Sequence, residues 1–204
     1  MQQLATASYP YTQLGLHEYL LVAHPNLDVA TKINAEKQHF FNQYGQKIAI
    51  KTKPHITIAS FVAKEMMEET ILRFMQRIFS RHAVFETALN NYSGFPQHTI
   101  YLRVQNQQPF KQLANDLKTV GNYIHSCSCP PAKLINNPHL SIARRLPEAI
   151  YLKAIADYSQ KSFYEKFTVN DLVLLRRSHP YDSCKIVQVF PLYPQVIPAN
   201  TLFD

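Results

Sequence analysis

The sequence predicts an α+β fold, mainly antiparallel sheet with helices covering one face. Three observations lead there. Short runs rich in β-branched and aromatic residues are interleaved with stretches of helical periodicity. Their order mixes strands and helices in the manner of an α+β domain. One six-residue pattern occurs twice, each time leading from a strand into a helix, as expected of two similar lobes.

The elements follow in order. Residues 1–15 are polar, with Pro and Tyr, and read as a lead-in segment. His17–Ala23 is a short apolar strand stopped by Pro25 and Asn26. Leu27, Ala30, Ile33, Phe40 and Phe41 fit a helix to about Tyr44, with Asn26 and Asp28 as capping residues. Lys47–Ile50 suits a short strand, and Pro54–Phe61 alternates as a strand. A helix from Lys64 to about Arg81 carries Met67, Ile71, Phe74, Met75 and Ile78. Val84–Phe95 and Thr99–Val104 are two strands around a turn at Gly94–Pro96. Phe110 to about Ile124 is a helix, and 126–137 a loop. Pro138–Leu146 is a strand, and Pro147 opens a helix to about Ser159. Phe167–Arg176 and Cys184–Pro191 close the sheet. A single domain is expected over 16–192, followed by a tail over 193–204.

Composition narrows the class. Of 204 residues, 46% are hydrophobic and 12% aromatic, enough for a folded core. The formal charge of +7 favours anionic partners such as nucleic acid or phosphate esters. An odd count of three cysteines, with no signal-like N-terminus, predicts a reducing, cytoplasmic setting. No stretch approaches the roughly 18 apolar residues of a spanning helix, so no membrane association is expected.

The repeated pattern carries the functional reading. It is Pro54-His55-Ile56-Thr57-Ile58-Ala59 and again Pro138-His139-Leu140-Ser141-Ile142-Ala143. Alternate side chains of a strand share a face. His55 and Thr57 therefore point one way, Ile56 and Ile58 the other. The same holds for His139 and Ser141 against Leu140 and Ile142. If the two lobes face each other, two His/hydroxyl pairs line one groove. Histidine titrates near neutrality, so one copy can serve as base and the other as acid in phosphodiester cleavage. The hydroxyls can donate to non-bridging oxygens. Arg144 would stabilise growing charge on the phosphate. Strict alternation puts it on the far face from Ser141; a bulge or strand end would turn it back.

These two motifs, Pro-His-Ile-Thr-Ile and Pro-His-Leu-Ser-Ile-Ala-Arg, resemble the 2H phosphoesterase superfamily. Within it they resemble the 2′-5′ RNA ligase and RNA 2′,3′-cyclic phosphodiesterase (LigT-like) branch. The resemblance implies a bilobal 2H phosphoesterase fold, two pseudo-symmetric lobes with outer helices around a central groove. It implies hydrolysis of 2′,3′-cyclic phosphates of RNA ends or nucleotides, without metal or cofactor. His55 and His139 take the catalytic positions; Thr57, Ser141 and Arg144 take the phosphate-binding ones. The chain departs from the branch in running Ala59-Ser60-Phe61-Val62 where Phe-Leu-Gly is common. Alternative readings are 2′-5′ ligation in the same site and a non-catalytic nucleotide- or RNA-binding module. No protein partner is implied, and a monomer is expected.

Other signals are thinner. Tyr101 and Arg103 share one face of their strand and could meet a base and a phosphate. Phe61 could stack on a base or pack in the core. His125, Cys127 and Cys129 form a compact cluster, but a structural zinc site needs two ligand pairs and Cys184 is remote in sequence, so no metal is expected.

Overall fold

In a computed structural model, the described residues are 15–96, 98–178 and 182–194; the lead-in up to residue 14 and the end of the tail lie outside them. The chain runs β1 (Leu16–Ala23), α1 (Leu27–Tyr44), β2 (Ile56–Lys64), a 3-10 turn (Glu65–Met67), α2 (Glu68–Phe79), β3 (Phe85–Phe95) and β4 (Thr99–Val104). It continues through α3 (Gln108–Asp116), α4 (Lys118–Ser126), β5 (Lys133–Leu134), β6 (His139–Arg144), α5 (Glu148–Ser159), β7 (Tyr164–Val169), β8 (Asp171–Arg177) and β9 (Lys185–Pro191). Local chemistry sets several of these bounds. The Asn26 side chain accepts from the Val29 N–H at 3.1 Å and starts α1. Gly45, in the left-handed region at φ 69°, ends it by donating to the Phe41 carbonyl.

The strands form one antiparallel sheet in the order β7-β3-β4-β6-β2-β1-β8-β9, with β5 added alongside β2. It divides into two halves, β2-β1-β8-β9 and β6-β4-β3-β7. They join where β2 meets β6, at the single residue pair Ile56–Leu140. Two helices, α1 and α3, are exchanged between halves. α1, which links β1 to β2, packs over β6 and β7 of the other half. α3, which follows β4, packs over β2. α5 lies on β3 and β4, while α2 sits against β9 and α4. One continuous apolar core lies between sheet and helices, including Ile33, Phe40, Ile56, Ile58, Leu102, Leu140 and Tyr158. On the opposite face most side chains are half-buried and lie outside this core.

Four local expectations change. Residues 47–50 form a turn that buries Ala49, its N–H bonded to the Gln46 carbonyl rather than to a neighbouring strand. The helix expected over 110–124 is two helices meeting at Leu117. The strand expected over 167–176 is broken at Asn170 into β7 and β8, which pair with β3 and β1 in different halves. Alternation alone cannot show that switch of partner. Finally, the buried stripe of α1 is Val29, Ile33, Lys37, Phe40 and Tyr44, while Leu27 is 81% exposed.

Gly94 of β3 lies opposite Ile100 on the core face, beneath α5. A Cβ there would come within 2.5 Å of the Tyr151 hydroxyl and 3.0 Å of Ile155. Gly94→Val should therefore cost about 1–3 kcal/mol of stability through overpacking, read as a lower midpoint in urea unfolding.

Candidate active site

The two motifs occupy equivalent places on either side of the junction. Antiparallel register around Ile56–Leu140 sets His55 level with Ser141, and Thr57 level with His139. Ile56, Ile58, Leu140 and Ile142 are buried in the core. His55, Thr57, His139 and Ser141 are half-buried on the open face, as alternation requires.

Each strand then carries a bulge at the same motif position. Along β1, Leu21 pairs with Ala59 and Val22 with Thr57, so Ile58 is the extra residue. Along β4, Ile100 pairs with Ala143 and Tyr101 with Ser141, so Ile142 is the extra residue. An extra residue reverses the phase of alternation beyond it. The two consequences are opposite. Arg144, which strict alternation would send into the core, pairs with Thr99 and returns to the face of His139 and Ser141. Phe61, which strict alternation would leave on the groove face, turns inward. It is 4% exposed and stacks on Tyr19 with centroids 5.1 Å apart. The expectation that Phe61 meets substrate is thereby corrected.

Tyr101 and Arg103 lie directly across from Ser141 and His139. The Tyr101 ring is 5.1 Å from His139 and stacks on Phe95 at 4.5 Å; Phe95 also meets the His139 ring edge-on at 4.8 Å. Arg103 is exposed, and its Nε donates to the Asn90 carbonyl at 3.3 Å. On the other side, His24 sits against His55, with ring centroids 6.2 Å apart, and shares a 2.8 Å hydrogen bond between Nδ1 and the Pro54 carbonyl.

The two motif histidines are held alike. His55 Nδ1 donates to the Lys53 carbonyl at 2.7 Å, and His139 Nδ1 to the Asn137 carbonyl at 2.8 Å. A carbonyl only accepts, so Nδ1 carries the hydrogen and Nε2 keeps its lone pair in the neutral ring. Burial pushes the His55 pKa down to about 4, against the Lys53 hydrogen bond, and nearby His24, Lys37 and Arg144 add to the depression. Burial also lowers His139, opposed by its bond to Asn137. The Arg144 pKa is lowered by loss of water around its head group, then by Arg145 and Arg177, with Glu18 opposing. Among the described residues, Arg144 makes no ion pair, and the Thr57 and Ser141 hydroxyls make no hydrogen bond. The groove thus presents two imidazoles, two uncommitted hydroxyls and a guanidinium, a set suited to an oxyanion.

Phe95, His24 and Lys37 were missed in the sequence. The first two belong to no repeat and reach the site only through pairing. Lys37 did carry a signal: it fills the gap between Ile33 and Phe40 in the buried stripe of α1. The His125–Cys129 cluster is no gathered site. Cys129 is buried with its Sγ 3.8 Å from Met67 Sδ, and among the described residues no three His, Cys, Asp or Glu side chains converge as metal ligands.

This fold, with paired histidine motifs across a two-fold-like junction, is that of the 2H phosphoesterases. E. coli LigT complexed with 3′-AMP superposes with a TM-score of 0.63 at 16% identity, covering 87% of this chain and 98% of that one. TT0787 of Thermus thermophilus gives 0.66 at 17% identity, covering 87% and 99%. The MHV ns2 PDE domain gives 0.52 at 13% identity, covering 79% and 99%. No curated protein matches the sequence. The family model of the 2′-5′ RNA ligase superfamily matches residues 26–180, and the chain belongs to that family. It is a phosphoesterase of the 2H class. No helix among the described residues is long and apolar enough to cross a membrane.

The depressed His55 pKa has a consequence for folding. The unfolded ring takes up a proton near 6.5, whereas the folded ring resists until about 4. Stability from this group is therefore full above about 6.5 and is lost as pH falls from there toward 4. Urea midpoints measured at pH 7.5 and 4.5 should drop less in His55→Asn than in the native chain; an equal drop would show that His55 is not held neutral.

Proposed function

We propose that this groove hydrolyses 2′,3′-cyclic phosphates of RNA ends or nucleotides by two-histidine acid–base catalysis, without a metal. The observation that carries the reading is the matched pair of imidazoles, each fixed by a backbone carbonyl so that Nε2 is its available atom. In the proposed step, one Nε2 takes a proton from water as its oxygen bonds to phosphorus. The bond from phosphorus to one ribose oxygen breaks, and the other histidine, protonated, gives its Nε2 hydrogen to that oxygen. The product is a ribose monophosphate. Thr57, Ser141 and Arg144 hold the non-bridging oxygens as charge builds. Tyr101 and Arg103, beside His139, would contact the nucleoside and a neighbouring phosphate. Solved structures of E. coli LigT with 3′-AMP and with ATP lend support to a nucleotide ligand.

In 2′-5′ ligation a ribose hydroxyl would replace water in the same scheme. RNA ends bearing a 2′,3′-cyclic phosphate and a 5′-hydroxyl separate the two by product. A binding module would hold the same ligands without turning them over.

His55→Ala and His139→Ala should each lower kcat by ~100-fold or more on a 2′,3′-cyclic nucleotide. Full activity in either would remove the two-histidine mechanism. Activity should persist in a strong chelator, and loss restored by magnesium or zinc would contradict the metal-free scheme. Because both histidine pKa values are lowered, kcat/KM should be greatest on the acid side of pH 6.5. It should fall toward neutrality as the acid loses its proton, and again at lower pH as the base gains one. A maximum above pH 7.5 would contradict this electrostatic account.

A further inference from the structure

Lys37 is the one charged side chain among the largest fully buried residues, 2% exposed within the apolar stripe of α1. Lysine is seldom buried unless paired, because removing an ammonium from water is costly. Here no carboxylate among the described residues pairs with it. Its Nζ instead donates to the Thr52 carbonyl at 2.5 Å, with the Thr52 hydroxyl at 3.3 Å. The next carbonyl along, that of Lys53, is the one that accepts from His55 Nδ1. Two consecutive peptide carbonyls thus connect Lys37 to the catalytic ring. Among the described residues the arrangement has no twin: no buried lysine stands behind Asn137, which orients His139.

We propose that Lys37 is a positioning residue for His55: it fixes the carbonyl segment that orients the ring and acts as a fixed cation beside it. The proposal rests on the two-histidine reading of the site. It explains why a helix that packs over β6 and β7 carries a charge in its core stripe. The negative charge that balances Lys37 and Arg144 arrives with the substrate phosphate. The groups that bear on the His55 ring are His24 just after β1, Lys37 on α1 and Arg144 on β6. Burial first and Arg144 second bring the Lys37 pKa down to about 8, so its ammonium is still largely charged at neutral pH.

The test uses Lys37→Met, which removes donor and charge, and Lys37→Gln, which keeps a donor and removes the charge. The His55 and His139 rings are titrated by NMR in the free protein, and kcat and KM are measured on a 2′,3′-cyclic nucleotide. The His55 midpoint should rise in both variants while that of His139 stays within experimental error. In Lys37→Met, kcat should fall about tenfold or more with KM changed less, and Lys37→Gln should recover part of it. A folded variant with an unmoved His55 midpoint and native kcat would overturn the proposal, leaving Lys37 a packing residue. If Lys37→Met does not fold, the Gln variant decides by the same readouts. If the native chain turns over no cyclic phosphate, the substrate reading fails, and the NMR titration still decides the role of Lys37.

Discussion

Ile56 and Leu140 are where two half-sheets become one, and the site depends on that single contact. Both side chains are wholly buried, so the junction is fixed from the core side by packing. On the open side the same register brings the residues before and after each partner level with one another. Two histidines far apart in sequence thereby share a groove. The helix exchange reinforces this, since α1 and α3 each bridge from the strand they follow to the opposite half. Neither half can shift without disturbing the helix that covers the other.

The paired bulges at Ile58 and Ile142 are the second constraint. Each lets the strand bury two consecutive residues, Ile58–Ala59 and Ile142–Ala143, and so re-aims everything after them. In the second copy the re-aimed residue is Arg144; in the first, the corresponding residue is Ser60. The two halves therefore match in their histidines and hydroxyls and differ in charge. The surroundings differ too. Phe95, Tyr101 and Arg103 flank His139, whereas His24 and the buried ammonium of Lys37 stand near His55. A pseudo-symmetric frame thus carries two unlike ends.

The bulges also account for what could and could not be read in the sequence. The motif faces were legible because alternation is strict over His-x-Thr and His-x-Ser. The Asn26 cap of α1 and the start of α5 at Pro147 were legible because both are set locally. The faces of Arg144 and Phe61 were not legible by alternation, because each depends on a bulge that no residue type announces. The break at Asn170 was hidden for a related reason: Phe167 and Leu172 are both buried, but under different halves. Lys37 was passed over although it fills the gap between Ile33 and Phe40 in the buried stripe, and its carbonyl partner shows only in the fold.

The central claim is that His55 and His139 act on one phosphate. The most direct measurement is an NMR titration of the native protein with inorganic phosphate, following both imidazole rings. The two rings should respond together with one dissociation constant, and His55 should move toward its protonated form as the anion offsets the surrounding cations. A response of one ring alone, or two unrelated constants, would contradict it.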